Sequence, residues 1–305
     1  MIITIDGGTT NTRLTLIDGG RIIDRIKKSI GAGVGGDDLK SAVRAGISEI
    51  IERNSGKKVE KVVLSGMIGS ESGLCNIPHI IAPAGVDELR KSLVTLEMPE
   101  ITKLPMVFIP GVKTFSDADE KPLCELDIMR GEETELCGIM SRLGKKAATV
   151  LLPGSHMKII NTDENGRIIS FCTSISGELT RAAAEHTILQ RSINGAFPKK
   201  ADEEYLRRGF DYAMLHGINE ALFKVRVQGN FLKTPPEKLY AFLLGAVLRD
   251  DVLSAKSRGG LVIIGGSDPF RSALDVLISG EKLLVDDEIS EMAAAYGAEL
   301  IAGER

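Results

Sequence analysis

The sequence predicts an α/β protein made of two similar halves that pack around a cleft. A module of strand, polar turn, strand, turn and strand occurs near residues 2–27 and again near 149–172. Stretches with apolar residues three or four positions apart, the pattern of amphipathic helices, lie between and after these modules. The length of 305 residues fits two medium domains better than one core.

The first half opens with short β-branched runs on either side of a turn rich in Gly and Thr. This pattern predicts a β-hairpin followed by a third strand. It excludes a Rossmann unit, in which the first strand runs directly into a helix. The elements predicted here are strands at 2–5, 14–17, 21–28 and 61–64, a helix at 37–53, and an unassigned region at 78–126 that is broken by prolines.

The second half repeats the hairpin and then becomes mainly helical. Asn165-Gly166 is a strong hairpin signal within the repeated module. The predicted elements are a preceding helix at 128–143, strands at 150–152, 157–160, 167–171 and 261–264, and helices at 203–222, 237–256 and 287–301.

The composition excludes several classes of protein. A net charge of −4 and a pI near 5.7 argue against nucleic-acid binding. The chain has no Trp and few other aromatic residues, so it offers few rings on which a ligand could stack. We therefore expect it to bind its ligand through hydrogen bonds and charge. The widely spaced cysteines predict neither a disulfide framework nor a zinc site, and no signal peptide or membrane span is recognisable, so a cytoplasmic protein is expected.

The first motif is the segment from Asp6 to Arg13. Its Gly-rich turn can bring backbone N–H groups to an anion, and its Thr hydroxyls add donors. The leading carboxylate of Asp6 suits Mg²⁺, which prefers one or two carboxylates together with phosphates and water. The alternative is a plain hairpin turn. The predicted phosphate-binding residues are Gly7, Gly8, Thr9, Thr10, Asn11 and Arg13.

The second motif, Leu152 to Lys158, occupies the same place in the second hairpin. Gly154 and Ser155 are predicted to hold phosphate, and Lys158 to neutralise its charge. His156 is a donor to phosphate or to substrate, with a structural role as the alternative. Lys158 alternates with apolar neighbours, so a solvent-facing side chain is its alternative interpretation.

Two further motifs complete the set. A buried-type strand runs into Gly265-Gly266-Ser267, a turn on which a planar base can lie, although a Gly pair after a strand is a weak signal alone. The segment 127–135 is rich in acids at a helix start, which can simply complement the helix dipole. A kinase of hydroxyl groups needs a carboxylate to accept the substrate proton, and Asp127 and Glu132 are both candidates.

Other polar groups are placed where a substrate could bind. Ser65 to Ser70 and Ser176 to Leu179 each follow a strand, and Arg226 is a basic residue among apolar ones. Arg suits bidentate recognition of a carboxylate. A surface Arg at a helix end is the alternative for Arg226.

In the order of these motifs the chain resembles the superfamily of sugar kinases, Hsp70 and actin, and within it the 2-dehydro-3-deoxygalactonokinase family. The resemblance rests on Asp6 to Arg13, Ser65 to Ser70 with Pro83-Ala84, the phrase Met-Arg-Gly-Glu-Glu-Thr from Met129, and Leu152 to Lys158 leading to Gly177-Glu178. It runs from residue 2 to about 300. Ser155 stands where the family more usually has Thr, and Gly7 where an aromatic residue is common.

The resemblance implies two ribonuclease H-like (actin-like ATPase) domains around an interdomain cleft. A sugar-side domain would span 1–130, with the last helix, about 286–305, packed back on it, and a nucleotide-side domain 131–305. It also implies Mg²⁺-dependent transfer from ATP to the 6-hydroxyl of 2-dehydro-3-deoxy-D-galactonate. Adenosine would bind at Gly265, Gly266 and Ser267. The substrate residues would be Ser65, Gly66, Met67, Ile68, Gly69, Arg130, Gly131, His156, Gly177, Glu178 and Arg226.

Three alternatives differ in what they require of the sequence. A kinase for another sugar or sugar acid, such as 2-dehydro-3-deoxygluconate, would keep every motif. A non-catalytic nucleotide-dependent regulator would lose the acid or the phosphate loops, and both are present here. A chaperone-like ATPase would need a substrate-binding appendage, for which 305 residues leave no room. The expected partners are ATP and the sugar acid alone, and the expected assembly is a homodimer.

Overall fold

The computed structural model describes residues 1–116 and 122–303. The chain divides into two compact units. The first consists of Met1–Lys146, Asp163–Ser170 and the described chain from Glu291 onward, and the second of Ala147–Thr162 and Phe171–Ser290. The assignment of a sugar side and a nucleotide side to particular domains stays a prediction.

Two sheets and three helices form most of the first unit. Its strands are β1 (Ile2–Gly7), β2 (Thr12–Asp18), β3 (Arg21–Lys28), β4 (Lys61–Gly66), β5 (Ile80–Ile81), β6 (Val94–Leu96), β7 (Met106–Phe108), β8 (Val112–Lys113) and β9 (Ile128–Met129). The larger sheet has the order β3-β2-β1-β4-β7-β6, and the smaller has the order β5-β8-β9. The helices are α1 (Gly36–Arg53), α2 (Val86–Lys91) and α3 (Glu132–Leu143).

The second unit has a five-stranded sheet and is otherwise mainly helical. Its sheet has the order β12-β11-β10-β13-β14. These strands are β10 (Ala148–Leu152), β11 (Met157–Thr162), β12 (Ile168–Ser174), β13 (Val262–Ile264) and β14 (Lys282–Leu284). The helices are α4 (Ser176–His186), α5 (Gln190–Ile193), α6 (Glu203–His216), α7 (Ile218–Phe231), α8 (Pro236–Val247), α9 (Arg249–Arg258) and α10 (Phe270–Leu277), and α11 (Asp287–Ala302) continues into the first unit.

The predicted mixed α/β fold with its repeated hairpin is confirmed. In the six-stranded sheet of the first unit, the antiparallel β1–β2 hairpin is extended by the parallel strand β4. In the five-stranded sheet of the second unit, the β10–β11 hairpin is extended in the same way by β13. Helix α1 buries Leu39, Val43, Ile47 and Ile50, the spacing that predicted it, in the core of the first unit.

Three predicted helices differ from the structure. The one predicted at 128–143 begins only at Glu132, because residues 128–129 pair with β8 as a strand. The one predicted at 203–222 is two helices, because Gly217 has a φ of 79°. The one predicted at 237–256 is interrupted at Leu248, whose ψ of −4° departs from the helical value near −42°.

Helix α11 packs directly against α3 within the first unit. A Cβ atom built on Gly138 would collide with the carbonyl oxygen of Ala293, and one on Gly297 with that of Thr134. The two backbones therefore touch without intervening side chains, which fixes the position of α3 and of its N-terminus.

In the ranges that the structure describes, no helix combines the length and the apolar character that spanning a membrane requires.

Candidate active site

The first loop, residues 7–11, closes the β1–β2 hairpin. The N–H of Gly8 donates to the carbonyl oxygen of Asn11 over 2.9 Å, and the Asn11 amide donates to the Thr10 hydroxyl. Thr9 and Thr10 are exposed. The loop is therefore a compact turn whose hydroxyl groups face solvent, which suits an anion.

A segment that sequence reasoning did not single out supports this loop from behind. The N–H groups of Ala32 and Gly33 donate to the carbonyl oxygens of Gly8 and Thr9, over 3.0 and 2.8 Å. The Thr12 hydroxyl donates to the carbonyl oxygen of Ile30 over 2.7 Å. The glycine-rich run at 31–36 was the available signal, because such a run lets two backbones approach closely.

Asp6 is the next-to-last residue of β1 and lies opposite Arg13 in the hairpin. The Arg13 guanidinium donates to the Asp6 carboxylate over 2.8 Å. The Asp6 side chain keeps 26% of its surface exposed, so a further ligand can reach it. Arg13, predicted to bind phosphate, is thus held beside the predicted metal-binding carboxylate.

The end of β4 and the turn that follows it pack against the first loop. Ser65, Gly66, Ile68 and Gly69 are buried, and only Met67 of this group is partly exposed. Gly7 packs so closely against Ile68 that a Cβ on Gly7 would lie 2.6 Å from the Cβ of Ile68. These predicted substrate residues shape the site mainly through packing.

The N-terminus of α3 adjoins the end of the large sheet. Gly131 has a φ of 114°, and a Cβ there would lie 3.0 Å from the Cα of Gly66, the cross-strand partner of Gly7. Glu132 is the first residue of α3, and its carboxylate accepts a hydrogen bond from the backbone N–H of Arg130 over 3.1 Å. This approach brings the first acid of α3 to the strand end that carries Asp6.

Two further acids of α3 were not selected from the sequence, although they belong to the same motif. Glu133 is fully buried, and burial, followed by the nearby charge of Glu132, raises its pKa to about 7. Burial, followed by the charges of Asp6 and Glu132, raises the pKa of Glu135 to about 8. The charge on Asp6 therefore acts on the Glu135 carboxyl of this helix.

Asp127 occupies a different environment from Glu132. It immediately precedes β9, its backbone N–H donates to the Thr114 hydroxyl, and its carboxylate accepts from the N–H of Ile128 over 2.7 Å. Strand β9 and two further residues separate it from the start of α3.

The second loop, residues 153–156, closes the β10–β11 hairpin of the second unit. The N–H of Glu178 donates to the carbonyl oxygen of Ser155 over 2.9 Å. A Cβ on Gly177 would collide with the carbonyl oxygen of Gly154. The His156 imidazole lies 3.5 Å from the Glu178 carboxylate. The predicted residues of this loop and of the α4 N-terminus are therefore in contact.

The Gly pair after β13 meets the same loop. The N–H of Gly265 donates to the carbonyl oxygen of Leu151, and Gly266, at a φ of 72°, lies so close to Pro153 that a Cβ would be 2.6 Å from its ring. Lys158 is buried, and its ammonium donates to the Thr173 hydroxyl over 2.6 Å. The lysine thus lies within the sheet and does not face solvent.

A buried carboxylate anchors this arrangement. Asp251, on α9, accepts hydrogen bonds from the hydroxyls of Ser174 and Ser176 over 2.6 and 2.5 Å, and burial raises its pKa. Ser176 begins α4, so Asp251 holds the helix end that contacts the second loop. Arg226, on α7, donates to the carbonyl oxygen of Ile188 over 3.3 Å.

The described residues contain no group of three or more His, Cys, Asp or Glu side chains arranged to hold a metal ion. Asp6 offers a single, partly exposed carboxylate. That donor set fits Mg²⁺ bound chiefly by nucleotide phosphates and water, since Mg²⁺ usually takes only one or two protein carboxylates.

The model of the 2-keto-3-deoxy-galactonokinase family matches residues 6–291, a span that includes both loops, α3 and the Gly pair. The chain belongs to this family. It is 26% identical over 257 residues to the 2-dehydro-3-deoxygalactonokinase of Escherichia coli, an alignment that covers 83% of this chain and 80% of that protein. The predicted kinase class is thereby confirmed.

Solved structures show the same fold for this member of the kinase family. The crystal structure of a 2-dehydro-3-deoxygalactonokinase candidate from Sinorhizobium meliloti superposes with a TM-score of 0.78, at 21% identity and with 100% of both chains covered. The activator of the 2-hydroxyisocaproyl-CoA dehydratase from Clostridium difficile, solved with bound ADPNP, gives a TM-score of 0.52 at 15% identity, covering 99% of this chain and 93% of that one. The predicted actin-like ATPase fold is confirmed.

Proposed function

We propose that this chain transfers the γ-phosphoryl group of ATP to the 6-hydroxyl of 2-dehydro-3-deoxy-D-galactonate in galactonate catabolism. The family match over residues 6–291 and the name of the Escherichia coli relative support this substrate. The site contributes an independent argument, because it combines anion-binding loops with a carboxylate at a helix start.

The observation that carries the proposal is the position of Glu132. Glu132 begins α3, next to the strand end that carries Asp6. Asp127 lies on the other side of β9, where its carboxylate accepts a hydrogen bond from the backbone N–H of Ile128. Glu132 accepts the proton of the 6-hydroxyl as that oxygen forms its bond to the γ-phosphorus, and the bond between phosphorus and the ADP oxygen breaks. Such a base orients the attacking oxygen and contributes roughly 10²–10⁴-fold to the rate.

The first unit also supplies the metal and phosphate contacts. Asp6, together with phosphate oxygens and water, would hold Mg²⁺, which neutralises charge on the transferring phosphoryl group. The backbone and hydroxyl donors of the first loop would bind phosphate oxygens, and Arg13 orients the Asp6 carboxylate.

The second unit has nucleotide-binding candidates of its own. Gly154 and Ser155 bind phosphate, and Gly265-Gly266 with Ser267 forms the floor for adenosine. The contacts of the α4 N-terminus and of the Gly pair with the second loop support this assignment, because they gather all three segments at one edge of the sheet. His156 and Glu178, 3.5 Å apart, flank the loop as polar groups for the ligand.

The test is release of ADP from Mg-ATP with 2-dehydro-3-deoxygalactonate, its gluconate epimer and neutral hexoses as acceptors. Turnover confined to the galactonate-derived acid supports the proposal. Activity on the epimer or on a neutral sugar alone would reassign the substrate while keeping the kinase. If no acceptor gives turnover although the protein still binds ATP, the protein would be a nucleotide-dependent regulator.

The base is tested by a matched pair of variants. Glu132→Gln should lower kcat roughly 10²-fold or more with little change in ATP affinity, and Asp127→Asn should be milder. The reverse order would move the base to Asp127.

Two further properties belong to the proposal. A kinase that consumes ATP is expected to act in the cytoplasm. The expected homodimer is tested by light scattering coupled to gel filtration.

A further inference from the structure

Arg130 is a partly buried arginine that forms no ion pair with the residues that the structure describes. Its Nη2 donates to the carbonyl oxygen of Ile77 over 2.6 Å and lies 3.2 Å from the Nδ1 of His79. Its Nη1 is fully enclosed and has no hydrogen-bond partner in the part of the chain that the structure describes. A buried polar group of this kind calls for an explanation, since nearly all such groups are paired in native proteins.

The acids whose charges act on Arg130 do not supply this anion. The Glu133 carboxylate already accepts from the N–H of Gly131 and from the Thr134 hydroxyl, and burial raises its pKa to about 7. The Cys75 thiol is the other such group, and burial raises its pKa as well. Because a desolvated charge is costly without a counter-charge, the guanidinium is poised for an anion that arrives with a ligand.

His79 extends this site with a neutral hydrogen-bond donor. Burial, followed by the charges of Arg130 and Lys113, lowers its pKa to about 4. Because Nδ1 faces the Arg130 guanidinium, Nδ1 accepts and the imidazole proton resides on Nε2. The imidazole fits only because residue 111 is glycine, where a Cβ would lie 2.6 Å from its Cδ2 atom.

The position of Arg130 relative to the proposed base suits a short acid. Arg130 precedes Glu132 by two residues, and its backbone N–H donates to the Glu132 carboxylate. A six-carbon sugar acid has its carboxylate at one end of the chain and the 6-hydroxyl at the other. An anion at Arg130 would therefore leave the far end of the molecule free to extend toward Glu132.

We propose that Arg130 and His79 form the subsite for the carboxylate of the sugar-acid substrate, and that this subsite makes the enzyme select acids over neutral sugars. The inference rests on the proposed kinase function. It chooses Arg130 over Arg226, for which the sequence suggested recognition of a carboxylate, because the Nη1 of Arg130 is enclosed and has no partner among the described residues, whereas Arg226 donates to a backbone carbonyl group.

The experiment compares the sugar acid with a neutral analogue in which the carboxylate is replaced by a hydroxymethyl group. Arg130→Met should lower kcat/KM for the acid by roughly 100-fold and change that for the neutral analogue by less than about threefold. The KM for ATP should not change. His79→Phe should shift the same ratio in the same direction, and His79→Gln, which keeps a donor, should shift it less. The surface variant Arg44→Met is the matched control.

Several outcomes would overturn the subsite. Equal losses on the acid and the neutral analogue in Arg130→Met would show a general structural role, and a selective loss in Arg226→Met would move the subsite there. Arg130→Met should melt no lower than the wild type without substrate, because the variant removes an unpaired buried charge. If that variant does not fold, Arg130→Lys and the His79 variants carry the same comparison. The kinase function and the subsite can also fail separately. If the wild type phosphorylates neither compound but binds the acid in titration calorimetry, and Arg130→Lys weakens that binding, the kinase function is refuted and the subsite is retained.

Discussion

Glu133 provides a direct test of the electrostatics at the start of α3. Its carboxyl is fully buried, and its pKa is raised from 4.5 to about 7 in the folded protein. A group that binds its proton more tightly when folded favours folding while it is protonated. The wild type should therefore lose stability as the pH rises from about 4.5 through about 7, and Glu133→Gln should remove this loss.

The magnitude follows from the two pKa values. A tenfold change in a protonation equilibrium corresponds to about 1.4 kcal/mol, so the difference amounts to about 3 kcal/mol at a pH well above 7. Glutamine has nearly the same shape and keeps an oxygen that can accept from the N–H of Gly131, so the variant should lose little at low pH.

The assay is urea unfolding followed by far-ultraviolet circular dichroism, because the chain has no Trp for fluorescence. At pH 4.5 the free energies of unfolding of the wild type and Glu133→Gln should agree within about 1 kcal/mol. At pH 8.5 the variant should be more stable by about 2–3 kcal/mol. Glu52→Gln, at an exposed position of α1, is the control for loss of a carboxylate as such.

Equal dependence on pH in the wild type and Glu133→Gln would refute this reasoning. The pH dependence would then belong to other groups, of which Glu135, with a pKa of about 8, is the first to examine. A variant that is less stable at every pH would show instead that the ionised carboxylate is favoured by its hydrogen bonds.

Three other predictions concern the backbone and the anchors of the site. Gly177→Ala should raise the Kd of a non-hydrolysable ATP analogue at least tenfold in titration calorimetry, because its Cβ would push the second loop away at the Gly154 carbonyl; an unchanged Kd would separate this contact from nucleotide binding. Asp251→Ala should lower the free energy of unfolding by about 2–4 kcal/mol in urea and raise the KM for ATP, whereas Asp251→Asn should be milder because an amide can still bond both serine hydroxyls. Gly131→Ala should lower the free energy of unfolding by about 1–3 kcal/mol in the same urea assay, because a φ of 114° is strained for alanine. A decrease of less than about 0.5 kcal/mol would contradict this prediction.

The sequence predicted the parts of the fold that depend on local pattern. The β-branched runs and turn residues indicated both hairpins, and apolar spacing indicated α1 and α11 to within a few residues. Helix α4 was missed because Gly177, a poor helix former, lies in its first turn. The same small residue is required there by the approach to Gly154, so a tertiary contact overrides local propensity.

The parts of the site that depend on distant pairs could not be predicted. Ser176 and Asp251 are 75 residues apart, and neither lies in a pattern that suggests a buried bond. The choice between Asp127 and Glu132 likewise needed the β8–β9 pairing, which turns residues 128–129 into a strand and separates the two acids. Their assignment as the base stays a prediction, now with a stated preference for Glu132.

The order of the two units along the chain has a consequence for protein synthesis. The first unit needs α11 against α3, and residues 293 and 297 leave the ribosome after the whole of the second unit. A chain synthesised up to residue 290 carries the complete second unit but leaves the backbone-contact face of α3 uncovered. The unit that is started first is therefore finished last, which reverses the usual N-terminal-first order of folding during translation.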